Sequence, residues 1–291
     1  MLINPARLLS QAREEGRALA AFNIYNLETL QGVAAAAARA GSPLLLQASP
    51  ATVLFAGAKY LAAMARAAAQ TWQIPVALHL DHATSFDLVA ECLEAGFTSV
   101  MYDGSRLPLA ENIANTRKVV HMAARYGAAV EGELGQVGSA YLNPDDELYT
   151  DPLQAREFAE ATGVDMLAVA VGTAHGVYKG EPHLDFARLA EIAREVKTPL
   201  VLHGGSGIPA AAIRKAISLG VAKVNFGTEL KIPFTKILME ELAQLGDKSP
   251  ERFDPRKYMA AAREAVEKVA TAKVAMCWIQ TAQRSADYDS Q

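Results

Sequence analysis

Eight short apolar runs, helical stretches between them, and ionisable residues concentrated where the runs end predict an α/β protein folded as a (β/α)8, or TIM, barrel. The runs cover residues 20–25, 43–49, 75–82, 99–103, 129–134, 166–172, 199–203 and 223–227. They are rich in Val, Ile, Leu and Ala with little alternation, as strands buried on both faces read. Residues 27–40, 59–70, 86–95, 112–126, 152–162, 185–196 and 209–219 carry apolar residues at helical spacing. Asp, Ser, Thr or Pro stands near their starts and Gly soon after several of their ends. Strand and helix in alternation require a parallel sheet with right-handed crossovers, and eight such units close it. An open doubly wound sheet is the rival, but no GxGxxG opens the first strand-to-helix turn.

A chain of 291 residues suits one such barrel, so residues 1–291 are expected to form one domain with a C-terminal helical extension at 258–274 and a polar end at 283–291. Hydrophobic residues make up 51% and charged ones 21%, which supplies a core and argues against disorder. The net charge of -4 gives no basic footprint for nucleic acid or an anionic membrane. Neither a signal-peptide pattern nor a long uncharged apolar run occurs, so a soluble, cytoplasmic protein is expected. Cys92 and Cys277 show no CxxC or Cys/His spacing and read as buried thiols.

Residues that end barrel strands converge on one face. In order these are Asn23; Gln47 and Ser49; Asp81 and His82; Asp103; Glu131 and Glu133; His175 and Gly176; His203, Gly204, Gly205 and Ser206; and Asn225, Phe226, Gly227 and Thr228. His82, His175 and His203 fall at the ends of the third, sixth and seventh runs. A hydrogen-bonded interior histidine is the ordinary explanation for any one of them. Three on one rim point to zinc, for which three neutral imidazoles and an open position form a common catalytic arrangement. His79 is expected to pack inside the barrel, and His121 and His183 to be structural or solvated.

Asp81 precedes a candidate ligand; beside a zinc ion it would stay ionised yet exchange a proton with a substrate hydroxyl, its alternative role being to support a histidine. Glu131 and Glu133 alternate along one strand and so face the same side. Glu133 and Asp103 are expected to support the metal ligands from behind or to form a second metal position. Glycine-rich turns after the seventh and eighth strands, with the hydroxyls of Ser206 and Thr228, can cradle a phosphate on backbone N–H groups.

The segments AFNIYN, HLDHA, MYDGS, EGELG, AVGTAHGVYKG, PLVLHGGSGIP and AKVNFGTE, in order from about residue 8 to 273, resemble the class II ketose-bisphosphate aldolases, the group containing fructose- and tagatose-bisphosphate aldolases. The resemblance implies zinc on His82, His175 and His203, with Asp81 as acid/base and Asn225 steadying an ene-diolate. It places phosphate against Gly176, Gly204, Ser206 and Asn225 to Thr228, often with a sodium or potassium ion held by nearby carbonyls. With Asn23, Gln47, Ser49, Lys179 and Gly205, these are the candidates for binding a small sugar phosphate.

The implied reaction is reversible cleavage of a phosphorylated ketose to dihydroxyacetone phosphate and an aldehyde, zinc polarising the ketone, in a homodimer or homotetramer. Two departures accompany the resemblance. The GGxED run of most members is replaced by VGSAYLNPDDELYTDP, which leaves Asp145, Asp146 and Glu147 as candidates for the base that moves the proton at the nucleophilic carbon. Gly227 stands where fructose-bisphosphate aldolases often have a side chain that contacts sugar hydroxyls, which brings the chain nearer the tagatose type. The rival readings are imine chemistry at Lys179, Lys223 or Lys231, a noncatalytic partner subunit, and another phosphate-binding barrel enzyme.

Overall fold

The computed structural model of the chain describes residues 2–139, 149–178, 180–245 and 253–278. Among them run β1 (Leu19–Asn23), β2 (Leu44–Ala48), β3 (Val76–Ala83), β4 (Ser99–Tyr102), β5 (Ala129–Leu134), β6 (Gly138–Ser139), β7 (Met166–Val169), β8 (Ala174–His175), β9 (Leu200–Leu202) and β10 (Val221–Phe226). All but β6 and β8 form a closed parallel barrel in which β1 pairs with both β2 and β10. The helices are α1 (Ala6–Glu14), α2 (Leu27–Arg39), α3 (Pro50–Ala56), α4 (Ala58–Trp72), α5 (Phe86–Ala95), α6 (Leu109–Ala124), α7 (Pro152–Thr162), α8 (Phe186–Glu195), α9 (Ala210–Ser218), α10 (Thr228–Leu245) and α11 (Pro255–Cys277).

Period-2 alternation sorts each strand between lumen and helix layer. Leu19, Ala21, Leu45, Ala77, Ala129, Met166 and Val201 form an apolar cluster inside the barrel, joined by Leu9 of α1. Two residues further along the strands the inward positions turn polar: Gln47, His79, Glu131 and His203, all fully buried. Two further still come Asp81 and Glu133. The lumen is therefore apolar at one end, polar and buried in the middle, and carboxylate-lined at the C-terminal end. The outward residues, such as Phe22, Leu46, Leu78, Val100 and Phe226, pack into the helix layer.

Several helices start where their sequences say they should. Asn26 caps α2 in a reciprocal box with Thr29, and Asp151 and Asp185 cap α7 and α8. Helices α1, α3 and α10 were not among the expected stretches; α3 is only seven residues long, and α10 contains Pro233. The sixth run needs a larger correction. Its barrel strand stops at Val169, Gly172 turns with a φ of 95°, and Ala174–His175 form a separate short strand paired with Gly138–Ser139. His175 thus stands beyond the barrel rather than at the end of a barrel strand. Among the described residues, no helix is long and apolar enough to cross a membrane.

Candidate active site

Neighbouring residues on a regular strand face opposite sides, yet Asp81 and His82 both reach the catalytic end. The register between β3 and β4 shifts between Leu80 and Ala83, and His82 takes a left-handed φ of 53°. This irregularity re-aims His82, at a conformational cost of about 1–3 kcal/mol for a non-glycine residue. The His82 backbone N–H meets Met101 Sδ at 3.3 Å.

The bulge brings His82 against His175 and His203. Ring centroids lie 4.9 Å apart for His82–His175, 4.6 Å for His82–His203 and 5.7 Å for His175–His203, each pair nearly perpendicular. One ring nitrogen from each lies within 4.8 Å of the other two. His82 Nε2 and His203 Nδ1 face each other at 2.8 Å. Their remaining nitrogens meet carboxylates: His82 Nδ1 lies 2.8 Å from Asp103 Oδ2, and His203 Nε2 lies 2.7 Å from Glu131 Oε1. Such outer carboxylates set the tautomer that points a lone pair inward, so the donor set fits a divalent metal. His82, Asp103 and Glu133 form a second group of the same kind.

Asp81 is nearly buried beside this cluster, with Oδ1 3.9 Å from His82 Nε2. Asn23 Nδ2 donates to its Oδ2 at 2.9 Å and Asn225 Nδ2 approaches its Oδ1 at 3.5 Å, while Gln47 donates to Asn23 at 3.4 Å. Burial alone would raise the Asp81 pKa, but His82, His203, Lys223 and the Asn23 hydrogen bond outweigh it and hold the carboxyl at about 2. Burial dominates instead at Glu133, which is pushed up to about 8. Its Oε2 has no hydrogen-bond partner among the described residues.

Above the cluster opens a cleft of about 500 Å³, lined by Asn23, Ser49, Asp81, His175, Gly204 and Asn225 among others. Ser206 Oγ accepts from the backbone N–H groups of Gly227 and Glu229 at the start of α10, where the helix dipole is positive. Gly176, Gly204, Ser206, Gly227 and Thr228 line the same space. Gly204 has a φ of 65°, and a Cβ there would come within 2.4 Å of Ala174 O.

The family model for fructose-bisphosphate aldolase class-II matches residues 3–282. The chain belongs to the class II fructose-bisphosphate aldolase family. It is therefore an aldolase, a carbon–carbon lyase. It is similar to the YdjI aldolase of Escherichia coli K12, with 33% identity over 97% of this chain and 99% of that one and a TM-score of 0.83. It also resembles a putative fructose-1,6-biphosphate aldolase from Coccidioides immitis (30% identity, TM-score 0.80, 93% and 94% of the two chains) and the fructose-bisphosphate aldolase of Campylobacter jejuni (26%, 0.82, 95% of each).

Within this class II aldolase some expected site residues stand elsewhere. Gln47 is fully buried beneath Asn23, and Gly205 does not line the cleft. The Phe226 side chain packs on Phe22 in the helix layer, centroids 5.9 Å apart, because alternation turns it away from Asn225. Ser49 lines the cleft and also caps α3. Lys179, Asp145, Asp146 and Glu147 lie outside the described residues.

Tyr25, which closes the first predicted run but was not singled out there, and Lys231, weighed from the sequence only for imine chemistry, also line the aldolase's cleft. Burial, then Asp81, pushes the Tyr25 hydroxyl up, so it stays protonated. A Cβ at Gly227 would lie 3.0 Å from Asn23 Oδ1 and 3.4 Å from the Tyr25 hydroxyl, so those two groups occupy the side on which a residue there would project.

Proposed function

We propose that this aldolase is zinc-dependent and reversibly cleaves a phosphorylated ketose into dihydroxyacetone phosphate and an aldehyde. The observation that carries this reading is the convergence of three imidazole edges beside a carboxylate that two amides orient. His82, His175 and His203 would hold the metal. Zinc bound there supplies Lewis acidity toward a ketone oxygen, which eases loss of a proton or a carbon substituent from the neighbouring carbon.

The remaining work falls to the chain itself. Asp81, ionised and aimed by Asn23 and Asn225, takes the proton from the hydroxyl on the carbon that becomes the aldehyde, and returns it in synthesis. The phosphate sits at the N-terminus of α10, against the hydroxyls of Ser206 and Thr228 and the glycine turns. That anchor fixes how far the ketone lies from Asp81. Gly227, with Asn23 and Tyr25 beside it, supports a tagatose-type or other ketose phosphate in preference to fructose 1,6-bisphosphate.

The test measures metal in the purified protein and incubates dihydroxyacetone phosphate with a panel of aldehydes. Zinc-dependent formation of a ketose phosphate is expected. No condensation with any aldehyde in the zinc-loaded protein would overturn the proposal.

A further inference from the structure

We infer that Lys223 is a positioning residue for His203: by occupying one oxygen of Glu131 it keeps the other oxygen on His203 and away from His79. The inference rests on the reading of His203 as a metal ligand.

Glu131 has two carboxylate oxygens and three claimants. Its Oε1 meets His203 Nε2 at 2.7 Å, and its Oε2 accepts from Lys223 Nζ at 2.6 Å. His79 Nε2 stands 3.5 Å from that same Oε2 and has no hydrogen-bond partner among the described residues, while its Nδ1 is engaged with Ser99 Oγ at 2.7 Å. All four side chains, Glu131, Lys223, His79 and His203, are fully buried.

A buried ion pair is a poor source of stability, because desolvation of both charges offsets their attraction. Its value here is geometric. With Lys223 on Oε2, the carboxylate plane is set so that Oε1 accepts the Nε2 proton of His203. That tautomer leaves Nδ1 as a lone pair facing His82. Without Lys223, the nearest available donor for Glu131 is His79, and a carboxylate turned toward His79 releases His203. The ring is then free to carry its proton on Nδ1, the nitrogen the metal needs.

The experiment uses the full chain with Lys223→Met, Lys223→Met/His79→Leu and His203→Ala, and measures zinc affinity by competition with a chromogenic chelator. Lys223→Met is expected to weaken zinc binding on the order of 10–100-fold, the range for loss of a group that orients a ligand. Removing the competitor in the double variant is expected to restore most of that loss, which a merely structural role for Lys223 would not do.

Wild-type affinity in a folded Lys223→Met, with zinc lost in His203→Ala, overturns the inference alone. Zinc retained in His203→Ala overturns the ligand reading and the inference with it. If Lys223→Met does not fold, the histidine nitrogen NMR shifts of the metal-free wild type decide. A His203 protonated on Nε2 supports the arrangement, and one protonated on Nδ1 overturns it.

Discussion

His82 Nε2 and His203 Nδ1 point at each other across 2.8 Å, so in the metal-free protein one of them carries a proton between the two rings. Burial would lower the pKa of both. His203 stays well below the ordinary range, whereas Asp81, Asp103 and Glu133 overcome burial at His82 and raise it to about 10.

Zinc and that proton therefore compete for His82. Zinc binding at neutral pH is expected to release a proton, and zinc affinity to fall as pH falls. Titration calorimetry in buffers of different ionisation enthalpy checks this: an apparent enthalpy independent of the buffer contradicts it.

The same shift gives metal-free stability a pH dependence of known sign. Because the folded pKa of His82 lies above its unfolded value of about 6.5, its contribution is fully present below that value and is lost as pH rises through about 10. The metal-free protein is expected to melt at a lower temperature at pH 10 than at pH 7. An unchanged or higher melting temperature at pH 10 would argue against a charged His82.

Asp81→Asn keeps the shape of the side chain and removes its capacity to take a proton. It is expected to retain zinc and to lose cleavage by on the order of 10²–10⁴, the usual range for an acid/base group. Near-normal turnover in a steady-state assay would reduce Asp81 to a support for His82.

Gly204→Ala places a Cβ 2.4 Å from Ala174 O, at a backbone conformation that L residues resist. Strain of about 1–3 kcal/mol from the backbone alone is expected, and the clash falls on the strand that carries His175. Chemical denaturation and zinc content should both fall, and an unaltered variant would show that β8 yields freely.

The GGxED replacement leaves the base at the nucleophilic carbon to be found. Ser139, the last described residue before that segment, is in register with His175 of the histidine cluster. One of Asp145, Asp146 and Glu147 is expected to move that proton. Each is changed singly to its amide, and proton exchange from dihydroxyacetone phosphate is followed by NMR in deuterated water. Unchanged exchange in all three assigns the task elsewhere.

Strand ends read from the sequence bring Asn23, His203 and Asn225 to the C-terminal face, because a barrel gathers every such end there. What escaped was set by long-range pairing. His175 leaves the barrel because β8 pairs with Gly138–Ser139, a contact between segments far apart in the chain. The Lys223–Glu131 pair joins residues separated by 92 positions, and neither local pattern announces the other. The β3 bulge at His82 is likewise invisible in HLDHA, where simple alternation would send Asp81 and His82 to opposite sides.

The central claim is most directly tested by proton exchange from dihydroxyacetone phosphate in deuterated water, which needs no knowledge of the aldehyde. The protein is measured as purified, after removal of metal with a chelator, and after zinc is returned. Exchange that disappears on stripping and comes back with zinc is the predicted result; exchange that continues at full rate in the stripped protein would contradict a zinc-dependent aldolase.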